Sequence, residues 1–328
     1  MPLVHVRTIY ERARRYGYAV GGFDAEHLDM VKAIIEAAEE MRSPVIVMLW
    51  EADIEVAGPG YLEAIVKKAA QDASVPVALH LDHGTSMKSC LQAVLNGHTG
   101  VMIDFSHFDF ETNINLTKQV VDVCHMMGVW VESEVGTIPR TFEKEGEYAE
   151  EKKLTDPDQA ADFVRRTGVD TLAVSIGEES GLYTTKPQID VDLLHQIGGK
   201  TDAYLIMHGG SGTPPDVMRE LVANGIVGIR FATELRIAFF DTMEKVRRQL
   251  GREHPDSRKM LVPAREAAKA LIKERIWQMG SFGQACTDGL CPPILRQEYQ
   301  PIQQVHSENG EVDRIVDLVR QELLQGAR

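Results

Sequence analysis

The sequence has only four cysteines in 328 residues: Cys90, Cys124, Cys286 and Cys291. That is too few for a disulfide scaffold, and a reducing cytoplasm is the expected setting. No apolar run approaches the ~20 residues that a membrane span requires. The opening stretch, MPLVHVRTIYERARRYG, lacks the apolar segment of a secretory signal. Positive charge is also in deficit: 35 Lys+Arg face 49 Asp+Glu, a formal charge of −14. Such a field repels nucleic acid and anionic membrane, so neither is an expected partner, although a local basic pocket for a small anion is compatible with it. Low-complexity linkers are missing, and the first β-rich run, GYAVGGF, does not make the glycine fingerprint of a dinucleotide-binding sheet.

What is present is an ordinary soluble composition, 44% hydrophobic and 26% charged, long enough to bury a core without staples. Short apolar runs rich in branched residues fall at 18–23, 44–49, 75–80, 100–103, 129–132, 171–175, 203–208 and 227–230. They read as parallel strands covered on both faces. Helical stripes lie between them, at 28–40, 61–70, 90–96, 114–127, 158–167, 191–197, 217–223 and 235–250. Asp156-Pro157 and Thr213-Pro214-Pro215 mark helix starts, and Gly128, Gly168 and Gly225 mark stops. Eight strands, each followed by a helix, predict a single α/β domain, a (β/α)₈ barrel, over residues 1–250. Residues 251–328 change character, with helices expected at 264–277 and 312–324, and read as a helical extension packed on the barrel or at an oligomer contact.

In such a barrel the chemistry gathers at the C-terminal ends of the strands. That rule selects His80, Asp82 and His83 after the third strand, Asp104 after the fourth, and Glu132 and Glu134 at the fifth. Ser175, Glu178, Glu179 and Ser180 follow the sixth, His208 ends the seventh, and Arg230 and Thr233 follow the eighth. One strand-end histidine alone reads as a hydrogen-bonded structural imidazole. His83 and His208 on different strands, with carboxylates beside them, suit a borderline divalent ion, and Zn²⁺ is the expected one. The loops His208-Gly-Gly-Ser-Gly212 and Arg230-Phe-Ala-Thr233 stand where barrels often bind phosphate. Cys286 and Cys291 lack Cys-x-x-Cys spacing and read as ordinary thiols; Cys90 and Cys124 lie on apolar helical stripes and read as core.

Taken together, YAVGGFD, Leu28–Pro44, HLDHG (80–84), ESEVG (132–136), TGVDTLAVSIG (167–177), HGGSG (208–212) and TELRIAF (233–239) form an ordered set of motifs. On these the chain resembles the class II, metal-dependent ketose-bisphosphate aldolases, from about Tyr18 to Phe240. The resemblance implies that His83 and His208 are zinc ligands and that Asp82 is the acid/base for the C4 hydroxyl. It implies that Glu134 is an alternative or second-site ligand. Gly181, Gly209, Ser211 and Thr233 match a phosphate cradle. The implied chemistry is Lewis-acid polarisation of a ketone and stabilisation of the enediolate formed as C3–C4 breaks. A phosphorylated sugar or sugar acid is the implied partner, and a homodimer or homotetramer the implied assembly.

The departures cluster in one pocket. Ser180 stands in the place of the family's third zinc histidine, so Glu134, Glu178 or Glu179 completes the shell, or affinity falls, or no metal binds. Trp50 replaces a small serine, Asp24 an asparagine, and Thr184 a phosphate-binding lysine. Arg230 and Ala232 alter the segment that grips the substrate. The loop after the fifth strand runs Thr137-Ile138-Pro139-Arg140-Thr141, leaving Glu143 and Glu145 as candidates for its acid. The Arg230 guanidinium suits a carboxylate, sulfonate or phosphate on the substrate, or an ion pair with Glu178 or Glu179. These changes predict a substrate other than fructose 1,6-bisphosphate. Two further expectations stay open: epimerisation of a sugar or sugar acid on the same scaffold, and a non-catalytic paralogue acting as a subunit or binding protein.

Overall fold

A computed structural model describes residues 3–139, 153–181, 188–251, 253 and 256–285. The expected helix at 312–324, the thiols Cys286 and Cys291, and Thr184, Glu143 and Glu145 lie outside the described residues.

The expected barrel is present. Strands β1 (Val20–Asp24), β2 (Val45–Trp50), β3 (Val77–Gly84), β4 (Gly100–Ile103), β5 (Trp130–Val135), β6 (Thr171–Val174), β7 (Tyr204–Met207) and β8 (Ile226–Phe231) pair in parallel, each with the next in sequence. The ring closes where Val20, Gly21, Gly22 and Phe23 of β1 pair with Gly228, Ile229, Arg230 and Phe231 of β8.

Strand periodicity sorts side chains between two cores. In β2, Val45, Val47 and Leu49 face the outer helices, whereas Ile46 and Met48 pack in the barrel interior. In β3, Val77, Leu79 and Leu81 face out while Ala78 faces in, and in β7 Leu205 and Met207 face out around Ile206. Two-residue steps up the inner wall therefore run Ala78, His80, Asp82 on β3; Trp130, Glu132, Glu134 on β5; and Ile206, His208 at β7. The interior changes from apolar at the bottom to ionic at the top.

Outer helices α2 (Leu28–Glu40), α4 (Tyr61–Asp72), α5 (Met87–Leu95), α6 (Phe110–Met126), α7 (Pro157–Thr167), α8 (Val191–Gly198), α9 (Pro215–Ala223) and α10 (Thr233–Leu250) follow the strands in order. Two start earlier than their stripes suggest, because caps extend them. Ser86 accepts from the Ser89 amide at 3.1 Å, and Asp109 from Thr112 at 3.0 Å. Beyond the barrel, α11 (Arg258–Gln278) lies along α2 and α10.

Two helices were not anticipated. α3 (Glu51–Ala57) is a short rim helix with no buried residue, so no apolar stripe announces it. α1 (Val6–Tyr16) precedes the first strand and buries Val6, Ile9, Tyr10 and Ala13, one face at the i, i+3, i+4, i+7 spacing. That face packs against Val20, Ile46, Ala78 and Val227 and plugs the bottom of the barrel. Among the described residues no helix is long and apolar enough to cross a membrane. Cys90 and Cys124 are buried free thiols, as read from their stripes; burial pushes the Cys124 thiol up to about 11 and that of Cys90 higher still.

Candidate active site

The chemistry-bearing residues of β3 and β5 sit within the strands rather than after them, since β3 runs to Gly84 and β5 to Val135. This corrects the expected strand ends and has a consequence for His83. Strict alternation would turn His83 away from Asp82 and out of the barrel. Instead the β3–β4 register shifts between Leu81 and Gly84, and His83 adopts φ 41°, a left-handed conformation that a non-glycine residue seldom takes. Such strain costs roughly 1 kcal/mol or more and is held by surrounding contacts. It delivers two adjacent side chains, Asp82 and His83, to the same mouth.

His83 Nδ1 lies 2.8 Å from Asp104 Oδ2. Burial alone would raise the Asp104 carboxyl, but the hydrogen bonds from His83 and Ser106 hold it well below the usual carboxylate range. His208 Nε2 lies 2.8 Å from Glu132 Oε1. The two imidazoles meet edge to face, with centroids 4.9 Å apart and planes at 73°. The nitrogens not engaged by these two carboxylates are Nε2 of His83 and Nδ1 of His208. Asp82, His83 and His208 each present a donor atom within 4.8 Å of the other two, and so do His83, Asp104 and Glu134. Asp82 Oδ1 is buried without a hydrogen-bond partner.

Below this mouth lies a buried ionic layer. Arg230 Nη2 donates to Glu132 Oε2 and, at 2.8 Å, to the Tyr10 hydroxyl. His80 Nε2 is 3.5 Å from the same carboxylate oxygen. Burial pushes the His80 imidazole down to about 3 and lowers His208 as well, so both are neutral at physiological pH. Burial would also raise Glu132, but the Arg230 charge and the His208 hydrogen bond hold it well below the usual range.

The mouth opens into a cleft of about 570 Å³ that is open to solvent. Asp24, Trp50, Arg230 and Arg236 line it, together with Ser180, Gly181, Gly209, Ser211 and Thr233. Gly209, at φ 65°, approaches the next loop so closely that a Cβ there would collide with the Glu179 carbonyl oxygen. Thr233 opens α10; its N-cap residue Ala232 offers no side-chain cap, and the Glu234 amide donates to Ser211 Oγ at 3.3 Å. Arg236 is gripped by Glu26 at 2.7 Å and Asp53 at 3.0 Å, with Asp24 at 3.6 Å, and stands 5.7 Å from the Trp50 ring centroid. Burial, reinforced by the nearby Asp82 charge, raises the Asp24 carboxyl well above the usual range.

With this geometry in view, the comparisons with known proteins are specific. Residues 4–284 match the family described as fructose-bisphosphate aldolase class-II. The chain belongs to that family. It is 41% identical over 308 residues to the fructose-bisphosphate aldolase of Thermus caldophilus, covering 86% of this chain and all of that protein. It is 38% identical over 290 residues to a probable fructose-bisphosphate aldolase of Bacillus subtilis (strain 168), covering 87% of this chain and all of that one. Among solved structures, the YdjI aldolase of Escherichia coli K12 superposes with a TM-score of 0.77 at 33% identity, covering 86% of this chain and 99% of that one.

Within this class II aldolase, the residues selected from sequence converge with two corrections. Glu179 does not join either donor group among the described residues; its backbone meets Gly209, and Glu134, with Asp104, shares a group with His83. The other candidate, Glu178, turns back to accept from its own loop, at the Ile176 amide, 2.8 Å away. Arg230 pairs with Glu132 and Tyr10, not with Glu178 or Glu179, because its side chain reaches into the barrel interior while still bordering the cleft. Sequence reasoning missed Tyr10 and Arg236 as members of the site. The α1 stripe was the available signal for Tyr10. Arg236 lies in TELRIAF, three residues into α10, where a helix-face argument would have turned it toward the first strand.

Proposed function

We propose that this chain is a divalent-metal-dependent aldolase that cleaves or forms a phosphorylated ketose other than fructose 1,6-bisphosphate. The observation that carries the reading is Asp82 Oδ1, buried and unpartnered at the mouth beside two histidines, each pinned at one ring nitrogen by a carboxylate. That donor set fits a divalent ion. Imidazoles oriented through one nitrogen offer the other, and the nearby carboxylates supply negative charge. His83 and His208 would hold the ion, with Glu134 the further carboxylate on the His83 side. When bound, the ion supplies Lewis-acid stabilisation of the negative charge that develops on the ketone oxygens.

The protein's own groups do the rest. Asp82 accepts the C4 hydroxyl proton as the C3–C4 bond breaks and returns a proton in the reverse direction. Gly209, Gly181 and the hydroxyls of Ser211 and Thr233 surround one phosphate at the start of α10, where the positive end of the helix dipole favours an anion. Trp50 narrows the cleft, and Arg236 presents a cation beside it. These replacements support a substrate whose far end differs from that of fructose 1,6-bisphosphate.

The test is metal content and turnover together. Protein purified without chelator should hold about one equivalent of divalent ion per chain, lost in His208→Ala and bound more tightly in Ser180→His, which restores a third imidazole. A panel of phosphorylated ketoses should give two short fragments. An isomer of unchanged mass would replace aldol cleavage by epimerisation. Metal bound only by Ser180→His, with no turnover by the native chain, would remove the enzyme reading.

A further inference from the structure

We propose that Arg230 is a positioning residue: acting through Glu132, it fixes the ring orientation and tautomer of His208, and it is not a receptor for a substrate anion. Its place in β8 is opposite Gly22 of β1 in the barrel register. A Cβ on Gly22 would lie 2.6 Å from Arg230 Nη1 and 2.9 Å from Cδ, so the guanidinium needs glycine there to lie across the interior. This is what the second glycine of YAVGGF does.

The guanidinium Nη2 joins the Tyr10 hydroxyl and Glu132 Oε2, while Glu132 Oε1 takes the proton of His208 Nε2. Arg230 and Glu132 are buried, and their charges answer each other. A second anion drawn to Arg230 would have to approach the Glu132 carboxylate as well, which opposes binding. Nη1 and Nε have no hydrogen-bond partner; Nη1 lies against the Gly22–Met48 wall, and although Arg230 also borders the cleft, it is the Glu132 charge on the same guanidinium that sets it against a substrate anion. A carboxylate gripped on one oxygen cannot rotate away from the histidine on the other. His208 is thereby held with Nε2 protonated and Nδ1 presented to the mouth. Because Tyr10 belongs to α1, this line of contacts runs from the plug at the barrel bottom to the reacting end.

The inference rests on His208 serving the proposed aldolase site, and its test separates the two. The full-length protein, labelled with ¹⁵N-histidine and stripped of metal by chelation, should show a single His208 tautomer with protonated Nε2, its signals identified by their loss in His208→Gln. Arg230→Met should give a mixture of tautomers, and Tyr10→Phe should move the same signals less far in the same direction. With substrate, Arg230→Met should lower kcat and weaken metal binding by about tenfold or more while KM changes little. Unchanged His208 signals in the variants would overturn the proposal, as would a raised KM with kcat retained, the signature of a lost anion contact. Should Arg230→Met fail to fold, Tyr10→Phe decides by the same spectrum. If the aldolase reading is lost, because the native chain shows no turnover, the tautomer measurement still decides the role of Arg230.

Discussion

Asp82 and His83 are neighbours in sequence and face the same mouth, which a regular strand would forbid. The left-handed His83 and the slipped β3–β4 register solve that geometric problem, and Asp104 holds the solution in place. Asp82→Asn should therefore keep the fold and the metal but remove the proton acceptor. Its kcat should fall by roughly 10²–10⁴, the usual worth of a positioned acid/base, with the urea midpoint near that of the native protein. Turnover within a few-fold of native would show that another group moves the proton. At this scale the sequence was informative about residue types: HLDHG and HGGSG named Asp82, His83 and His208. It was uninformative about Glu179, because a carboxylate within one or two positions of Ser180 gives no sign of which way its loop turns. The same holds for Arg230, whose partner Glu132 lies 98 residues away in the chain.

Between residues and the whole stand the elements that hold the cradle. Glu234, at the start of α10, accepts from the Gly212 amide at 3.0 Å and receives a two-pronged grip from Arg275 of α11, at 2.7 and 2.6 Å. Arg275 also bonds Gln278 at 2.7 Å. The helix beyond the barrel thus braces the glycine loop after β7 through a buried ion pair. Breaking such a pair from one side leaves an uncompensated buried charge and costs about 3–5 kcal/mol. Arg275→Met should lower the denaturant midpoint by an amount of that size and weaken inorganic phosphate binding, both readable by urea titration with and without phosphate. A variant as stable as the native chain would mean that the loop is held by its own turns alone. The α11 stripe was legible in sequence, but its partner was not, since a stripe states that a helix buries one face and not against what.

For the molecule as a whole, the buried imidazoles set the response to acid. Burial pushes His98 down to about 4 from its ordinary 6.5, although its Nδ1 bonds the Ala93 carbonyl at 2.9 Å. His80 falls further. Below pH 6.5 the unfolded chain takes up protons that the folded chain refuses, so stability falls as pH drops toward the folded values and levels off beneath them. For His98 the loss should be on the order of 2 kcal/mol at about pH 5. His98→Gln should flatten the fall in urea midpoint between about pH 7 and pH 5 relative to the native protein. Equal slopes in the two proteins would place the acid sensitivity elsewhere.

The sequence by itself determined the alternation of eight strands with the helices that follow them, the closed parallel barrel and the residue types at its mouth, because period-2 burial and strand polarity are local properties of the chain. Even the inward steps from Ala78 to His80 to Asp82, and from Trp130 to Glu132 to Glu134, follow from alternation alone. Tertiary structure decided which inward charges meet. Pairing Arg230 with Glu132 depends on the stagger between β5 and β8, and adding Tyr10 requires a helix 220 residues upstream to close the barrel floor. A buried charge takes the partner that the closed ring brings within reach, and that distance exists only once the ring has closed.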